Sequence, residues 1–325
     1  MEIRKPVKIK QLRPIILTFI SLAMISVFVW YLYTNADQYM KLLDVSIPGL
    51  AILFLLSLAL PVLNGMQNTI LYRNLGITDF THWDGFLLSA ISGLANQLPI
   101  PGGVISKGYY LKRRHNLSYT IFSSSSLALF LCYVSLNGFI GLSILLYWLL
   151  FQGVMVSPIL WVVFGLMMVS ILMFWLPLDR IKLPDRIQGR AQQALDGWLI
   201  MSRKPSIIVG EMVLQLVMII FLTIRYWLAL RMLSQDVPIS FVLLMSNVTI
   251  LTQTVSLAPG GLGVREALVG GVASALGFDI GITIVAVGLD RLVATFVKLL
   301  VGSISTIIVG NQMTQVPVAD GQEDV

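Results

Sequence analysis

The sequence predicts an all-α polytopic membrane protein of about six transmembrane helices plus two Pro-Gly-Gly re-entrant hairpins, arranged as an inverted repeat. Three observations lead there. Of 325 residues, 57% are hydrophobic and only 12% are charged, about half the charge of a soluble domain. Several apolar stretches reach the roughly 20 residues needed to cross a hydrocarbon core of about 30 Å. A Pro-Gly-Gly break also follows a short apolar segment twice, at Pro101-Gly102-Gly103 and Pro259-Gly260-Gly261. The runs are continuously apolar, not alternating, which favours helices over a barrel.

The elements follow in chain order. Residues 1–13 form a basic N-terminus carrying Arg4, Lys5, Lys8, Lys10 and Arg13. The apolar run Ile15 to Tyr33 is longer than a signal-peptide core and ends in the aromatic cluster Trp30-Tyr31-Leu32-Tyr33, so it reads as a retained first span. Further spans are expected at Ile47 to Tyr72, Ser118 to Phe151, Ile159 to Trp175, Ile207 to Leu230 and Ile280 to Val309. The 118–151 run is either one long span or two, divided at Asn137-Gly138. The segment from Arg186 to Ile200 places Ile187, Ala191, Leu195, Trp198 and Leu199 near one helical face, the pattern of a helix lying on the inner leaflet. Residues 311–325 are polar and acidic, which predicts a disordered tail.

Charge sets the orientation. Three basic clusters (the N-terminus, Lys107 to Arg114, and Arg180 to Lys204) hold 15 of the 22 Lys and Arg residues. The positive-inside rule puts all three, and both termini, on the cytoplasmic face. The net charge of +6 is thereby explained by topology, and no nucleic-acid partner is expected. Trp83 to Leu98 must then leave and return on one side, because a basic residue or cluster flanks it at Arg73 and at Lys107 to Arg114. Such a short helix, broken by Pro99, Pro101, Gly102 and Gly103, reads as re-entrant, with an ordinary short span as the alternative. At a constant offset of 158, Arg73 and Leu75 match Arg231 and Leu233, Trp83 matches Phe241, and Lys107 matches Arg265. The halves are about 47–151 and 206–309, within a single membrane domain of residues 14–310. Counting spans puts the second hairpin on the outer face, so the repeats are inverted.

No constellation suggests catalysis. His82 and His115 flank membrane segments, Cys132 stands alone, and no spacing fits a metal site, a nucleophile–base pair or a phosphate-binding loop. No cofactor, no metal and no enzymatic activity are expected. The broken helices are the candidate binding elements, because freed backbone groups inside lipid are tolerated only where buried in protein or lining a wet cavity. After Gly260, Gly261 and Gly263 a new helix begins, with Arg265 and Glu266 in its first turn, an arrangement that favours an anion. Lys107, behind Gly102 and Gly103, occupies the equivalent place. Asp290 and Arg291 lie deep in the last span, with Lys298 two turns on. Such groups usually face a bundle interior or a cavity. Asp290 is expected to pair with Arg265 or Arg225, and Arg291 with Glu266 or Glu211, while Arg225 could instead snorkel to the interface. Asn96, Gln97, Gln253 and Thr254 precede the breaks and would line the same cavity.

The run Ala258-Pro259-Gly260-Gly261-Leu262-Gly263-Val264-Arg265-Glu266, with the looser Asn96-Gln97-Leu98-Pro99-Ile100-Pro101-Gly102-Gly103, resembles the lysylphosphatidylglycerol synthase transmembrane-region family. This flippase-like group comprises bacterial and archaeal membrane proteins, and the resemblance covers about residues 10–310. In the two-domain members such a membrane region is implied to translocate an aminoacylated phospholipid; for this chain the expectation is a flippase-like transporter in a bacterial inner membrane, moving a lipid with an anionic head group, either a phospholipid or a polyprenyl-linked carrier. Aminoacyl transfer belongs to a fused synthase domain in the two-domain members and is not expected of a chain with a short tail after Val309. Ser106-Lys107-Gly108 departs from the acidic-then-Arg pattern of many members, which sets the two half-sites apart. The partners implied are the lipid itself, a further copy of the chain as a homo-oligomer, and an envelope-lipid biosynthetic enzyme. The rival reading is a non-transporting subunit that scaffolds or regulates such an enzyme.

Overall fold

The computed structural model describes residues 46–97, 102–153, 156–175, 192, 195, 197–201, 204–255 and 264–314. The expected first span, both prolines of the first break, Gly260, Gly261, Gly263 and the side chain of Gln253 lie outside the described residues, as does most of the 186–200 segment. The described helices are α1 (Ile47–Asn74), α2 (His82–Ala95), α3 (Gly102–His115), α4 (Tyr119–Tyr147), α5 (Pro158–Val169), α6 (Pro205–Met232), α7 (Ile239–Val255), α8 (Val264–Ala275) and α9 (Ile280–Thr314). No strand occurs among the described residues.

Among the described residues, four stretches are long and apolar enough to cross a bilayer: Ile47–Asn74, Tyr119–Gln152, Pro205–Met232 and Ile280–Gln312. Their outward faces are apolar, with Leu55, Leu150, Leu292 and Ile307 more than 60% exposed, as expected where lipid replaces water. The 118–151 run is one helix. Asn137-Gly138 does not divide it, because a Cβ at Gly138 would collide with the backbone of Met168 and a Cβ at Gly141 with the Phe164 ring. Both glycines serve the α4–α5 crossing. The expected span at 159–175 is a 12-residue α-helix continued by a 3₁₀ segment, Ser170–Trp175. At about 1.5 Å and 2.0 Å per residue the two parts extend to roughly 30 Å, because the tighter winding lengthens the second part.

α2 and α3 form an antiparallel hairpin. Thr81 and Asp84 close a capping box at the start of α2. The same Asp84 accepts a hydrogen bond from the Tyr110 hydroxyl at 3.1 Å and pairs with Arg114 at 3.3 Å. At the tip, the Gly103 N–H donates to Asn96 Oδ1 at 2.8 Å, and the Ser92 hydroxyl donates to the Gly103 carbonyl at 3.1 Å. A Cβ on Gly102 would strike the Ala95 carbonyl, so glycine is required for the return helix to lie this close. Each arm has 14 residues, about 21 Å of helix. In the second half, Phe241 near the start of α7 stacks on Phe278 just beyond α8, with centroids 3.9 Å apart, so α7 and α8 also fold back on each other.

The bundle has two distinct ends. α1 and α6 run antiparallel: Gly49 faces Met232 at one end, and Ile70 faces Gly210 near the other. The second end gathers Arg73, Lys112, Arg113, Arg114, Lys204 and the close of α9, where Arg114 donates to Gln312 Oε1. The first hairpin opens at this basic end. The second hairpin opens at the opposite end, where Trp148 Nε1 donates to Ser240 Oγ at 2.9 Å. Of the 186–200 segment, the described Trp198 is buried against the α1–α4 core, as is neighbouring Met201. Gly197 packs on Ser124 and Ile121.

α1 and α6 are both 28 residues long, and they start and finish 158 residues apart. They also end alike. Ile77 N–H bonds the Tyr72 carbonyl and Gly76 N–H bonds that of Arg73, while Gln235 N–H bonds the Leu230 carbonyl and Ser234 N–H bonds that of Arg231. This is the Schellman pattern. Gly76 and Ser234 hold positive φ values of 98° and 60°.

Candidate functional site

The helices enclose a cavity of about 130 Å³ halfway along α1. α1 supplies Ser57, Leu60, Pro61 and Asn64, and α2 supplies Ser89, Ala90 and Gly93. The charges come from elsewhere: Arg225 from α6, Arg265 from the first turn of α8, and Asp290 and Lys298 from α9. Three cations and one carboxylate therefore line a site at mid-span. Close approach is possible because Gly302 of α9 lies against Leu94 and the Ala90 carbonyl.

Asp290 organises the cluster. Its Oδ1 accepts from Arg225 Nε at 2.8 Å, and its Oδ2 pairs with Arg265 at 3.2 Å. Arg225 and Asp290 are each 1% exposed, so Arg225 does not snorkel: a buried carboxylate in reach holds the guanidinium inside. Both expected alternatives for Asp290 are realised at once. Adjacent helical residues point apart, and Arg291 accordingly pairs with Glu266 at 2.7 Å, not with Glu211. The Arg265 guanidinium also donates to the Tyr226 hydroxyl and lies over that ring, 5.3 Å from its centroid.

Two donors remain open to a ligand. Arg265 is 9% exposed, and its buried Nε has no hydrogen-bond partner. Lys298 is exposed at the cavity wall, and no ion pair or hydrogen bond joins it to the described residues. A buried N–H without a partner is costly, and an anion entering the cavity would satisfy it. Formally the wall carries a surplus of positive charge, which suits phosphate.

Lys107 belongs to another cluster. Its Nζ donates to Asn68 Oδ1 at 3.1 Å, and it is not among the residues that line the charged cavity. The two cations nevertheless follow one template. Residues 68 and 226, like 107 and 265, are 158 apart, and Lys107 bonds Asn68 where Arg265 bonds Tyr226. Asn96 braces the hairpin tip, and Gln97 Nε2 donates to the Gly93 carbonyl. Gly102 and Gly103 likewise serve hairpin packing. Tyr226 and Asn68 were not singled out from the sequence. The signal was there, as polar residues at equivalent depths of two otherwise apolar spans.

A second cavity of about 240 Å³ adjoins the first, sharing Leu60, Asn64 and Leu222. Beside it, the Tyr133 hydroxyl donates to Glu211 Oε2 at 2.7 Å. No cluster of three or more His, Cys, Asp or Glu residues able to hold a metal occurs among the described residues.

The family model for the lysylphosphatidylglycerol synthase TM region matches residues 18–302. Comparison with curated proteins and with solved structures finds no match. The matched stretch runs from ahead of α1 well into α9 and includes every residue of the charged cavity. The chain thus belongs to the lysylphosphatidylglycerol synthase transmembrane-region family, and so to the multi-pass membrane proteins related to lipid metabolism or transport.

Proposed function

We propose that the chain is a flippase-like transporter that carries a lipid with an anionic head group between leaflets, without chemical change to the lipid. The observation that carries this reading is the unpartnered Nε of Arg265, buried in a cavity whose wall also holds Arg225, Lys298 and a single carboxylate. In this reading the two hairpins are re-entrant and approach mid-membrane from opposite faces. Antiparallel α1 and α6 relate the halves as an inverted repeat, and rocking of one half against the other exposes the cavity to each leaflet in turn. The basic end is cytoplasmic, both termini lie there, and the membrane is a bacterial inner membrane. The lipid is a phospholipid or a polyprenyl-linked carrier. A homo-oligomer is compatible with this reading.

The test is translocation of labelled lipids in proteoliposomes alongside the yield of monodisperse protein. Arg265→Lys keeps the charge but loses the planar fork, and is expected to lower the rate. Arg265→Ala is expected to lower it by about tenfold or more, the scale of one charge-assisted contact. Gly261→Val should block close approach with the charge intact. Normal translocation by well-folded Arg265→Ala would refute the ligand role. A wild-type protein that folds, moves no anionic lipid and co-purifies with an envelope-lipid enzyme would establish the scaffolding reading instead.

A further inference from the structure

Glu211 is a carboxylic side chain that takes no part in the charged cavity. It is fully buried in α6 and follows Pro205 by six residues, about 9 Å along the helix from the basic end of the bundle. Its Oε2 accepts from the Tyr133 hydroxyl at 2.7 Å, while its Oε1 is buried without a hydrogen-bond partner. The buried carboxylates Asp290 and Glu266 each hold an arginine. Among the described residues no ion pair reaches Glu211. An unpaired charge at that depth is costly, and a bound proton removes it.

The surrounding groups supply a route for that proton. Around Glu211, α1 places Tyr72, α4 places Cys132 and Tyr133, and α3 places Lys107, all within electrostatic reach. α7 carries no titratable residue. On α9, Asp290 and Lys298 line the charged cavity and Arg291 pairs with Glu266. Tyr133 also lines the 240 Å³ cavity, together with Asn64, Gln67, Asn137 and Gln215. That cavity is large and polar enough to hold several waters, and it shares Leu60, Asn64 and Leu222 with the Arg265 cavity. A hydronium ion there gives a proton to the Tyr133 oxygen while the Tyr133 hydrogen passes to Glu211 Oε2. Water, an unchanged tyrosine and a neutral carboxyl group remain.

Lys107 connects the proton to movement. It lies in the first hairpin, donates to Asn68 of α1, and feels the Glu211 charge without bonding to it. With Glu211 neutral, Asn68 is the partner of the lysine. With Glu211 ionised, a carboxylate on α6 competes for Lys107 and draws α3 toward the other half of the molecule. Occupancy of one site thus biases two positions of the hairpin.

We propose that Glu211 is a proton-binding site, with Tyr133 as its relay and Lys107 as the group that senses it, and that proton binding there is coupled to lipid movement. The coupling rests on the transport reading, whereas the proton site stands on the geometry around Glu211.

Difference infrared spectra of the detergent-purified full chain over a pH series read the site directly. The carbonyl-stretch band of a protonated carboxyl group should titrate in the wild type, vanish in Glu211→Gln and shift in Tyr133→Phe, which lacks the bond to Oε2. Coupling is read in phosphatidylcholine vesicles containing labelled phosphatidylglycerol, with the potential clamped by potassium and valinomycin and protein-free vesicles as background. For one proton per lipid, a gradient of one pH unit is worth up to about tenfold in the steady-state ratio of label between leaflets. Glu211→Gln is expected to exchange label more slowly and only to the background ratio. Lys107→Met should keep the band and lose the response to the gradient. Should Glu211→Gln not purify as monodisperse protein, Tyr133→Phe stands in, and an unshifted band there counts against the proposal. Absence of a Glu211-dependent band, a wild-type ratio indifferent to the gradient, or a folded Glu211→Gln that still responds to it or exchanges no label would overturn the proposal. A gradient response retained in Lys107→Met would overturn the role of the hairpin. A Glu211-dependent band in a wild-type protein that moves no label removes transport, and coupling with it, and leaves the proton site.

Discussion

Asp290 holds two guanidinium groups in a part of the protein that water barely reaches. Removing one member of a buried ion pair strands the other, at about 3–5 kcal/mol. Asp290→Asn strands both Arg225 and Arg265, so a clear fall in Tm and in monodisperse yield is expected for this nearly isosteric change. Lys298 makes the control. It has no described partner, so Lys298→Met should alter stability by no more than about 0.5 kcal/mol while slowing lipid translocation. Thermal unfolding in detergent with parallel transport assays reads both, and a strongly destabilised Lys298→Met would contradict the placement of that lysine as a free cation. At this scale the sequence was informative about residue types. Arg265, Glu266, Asp290 and Arg291 stood out as ionisable groups at membrane depth. Their pairing was legible only as alternatives, because helical periodicity says which residues point apart but not which neighbouring helix each one meets.

Glycines set how closely the helices pack. Gly85 of α2 meets the Gly65 carbonyl of α1, Gly141 of α4 meets Phe164 of α5, and Gly138 lies on the α5 backbone. In lipid, helices gain little from burying apolar surface against one another, so close backbone approach carries much of the association. Gly138→Val must push α4 and α5 apart, since the neighbouring atoms are the Met168 nitrogen, the Phe164 carbonyl oxygen and the Met167 Cβ, none of which a side-chain rotation can move away. A loss of about 1–3 kcal/mol is expected. At Gly165, on the same pair of helices, an added Cβ meets nothing within 4 Å, and Gly165→Ala should stay within about 0.5 kcal/mol of wild type. Comparing their melting temperatures checks the contrast. Equal effects would mean that the α4–α5 crossing is not as close as described. The same glycines explain why Asn137-Gly138 looked like a division of the span. A glycine that breaks a helix and one that lets another helix touch it are indistinguishable without the neighbour.

For the whole molecule, the contacts place the two hairpin openings at opposite ends of the bundle and gather Arg73, Arg114, Lys204 and Gln312 at one of them. Topology therefore has a direct test in a Cys132→Ser background. Single cysteines at Ser234 and Asp279 should react with an impermeant maleimide added from outside intact cells. One at Gln312 should react only after permeabilisation. Labelling of Ser234 and Gln312 from the same side would contradict the inverted arrangement.

The sequence by itself determined that this chain is helical and membrane-embedded, because long apolar runs in a lipid solvent leave the backbone no other partner than itself. It also set Arg265 and Glu266 in the first turn of a new helix, as the structure has them. The 158-residue offset was visible in it, and it reappears in the matched lengths and C-terminal turns of α1 and α6. Tertiary structure alone decided that Arg225 turns inward to Asp290, that Lys107 and Arg265 serve separate clusters, and that a cavity lined by uncharged residues adjoins the charged one. Each of these depends on which helix faces which. In a bundle whose helices are apolar nearly all round, the amphipathic stripe that would announce a facing side is missing. Only packing, set by glycines at the crossings and by a few buried charges, fixes the rotation of each helix about its axis.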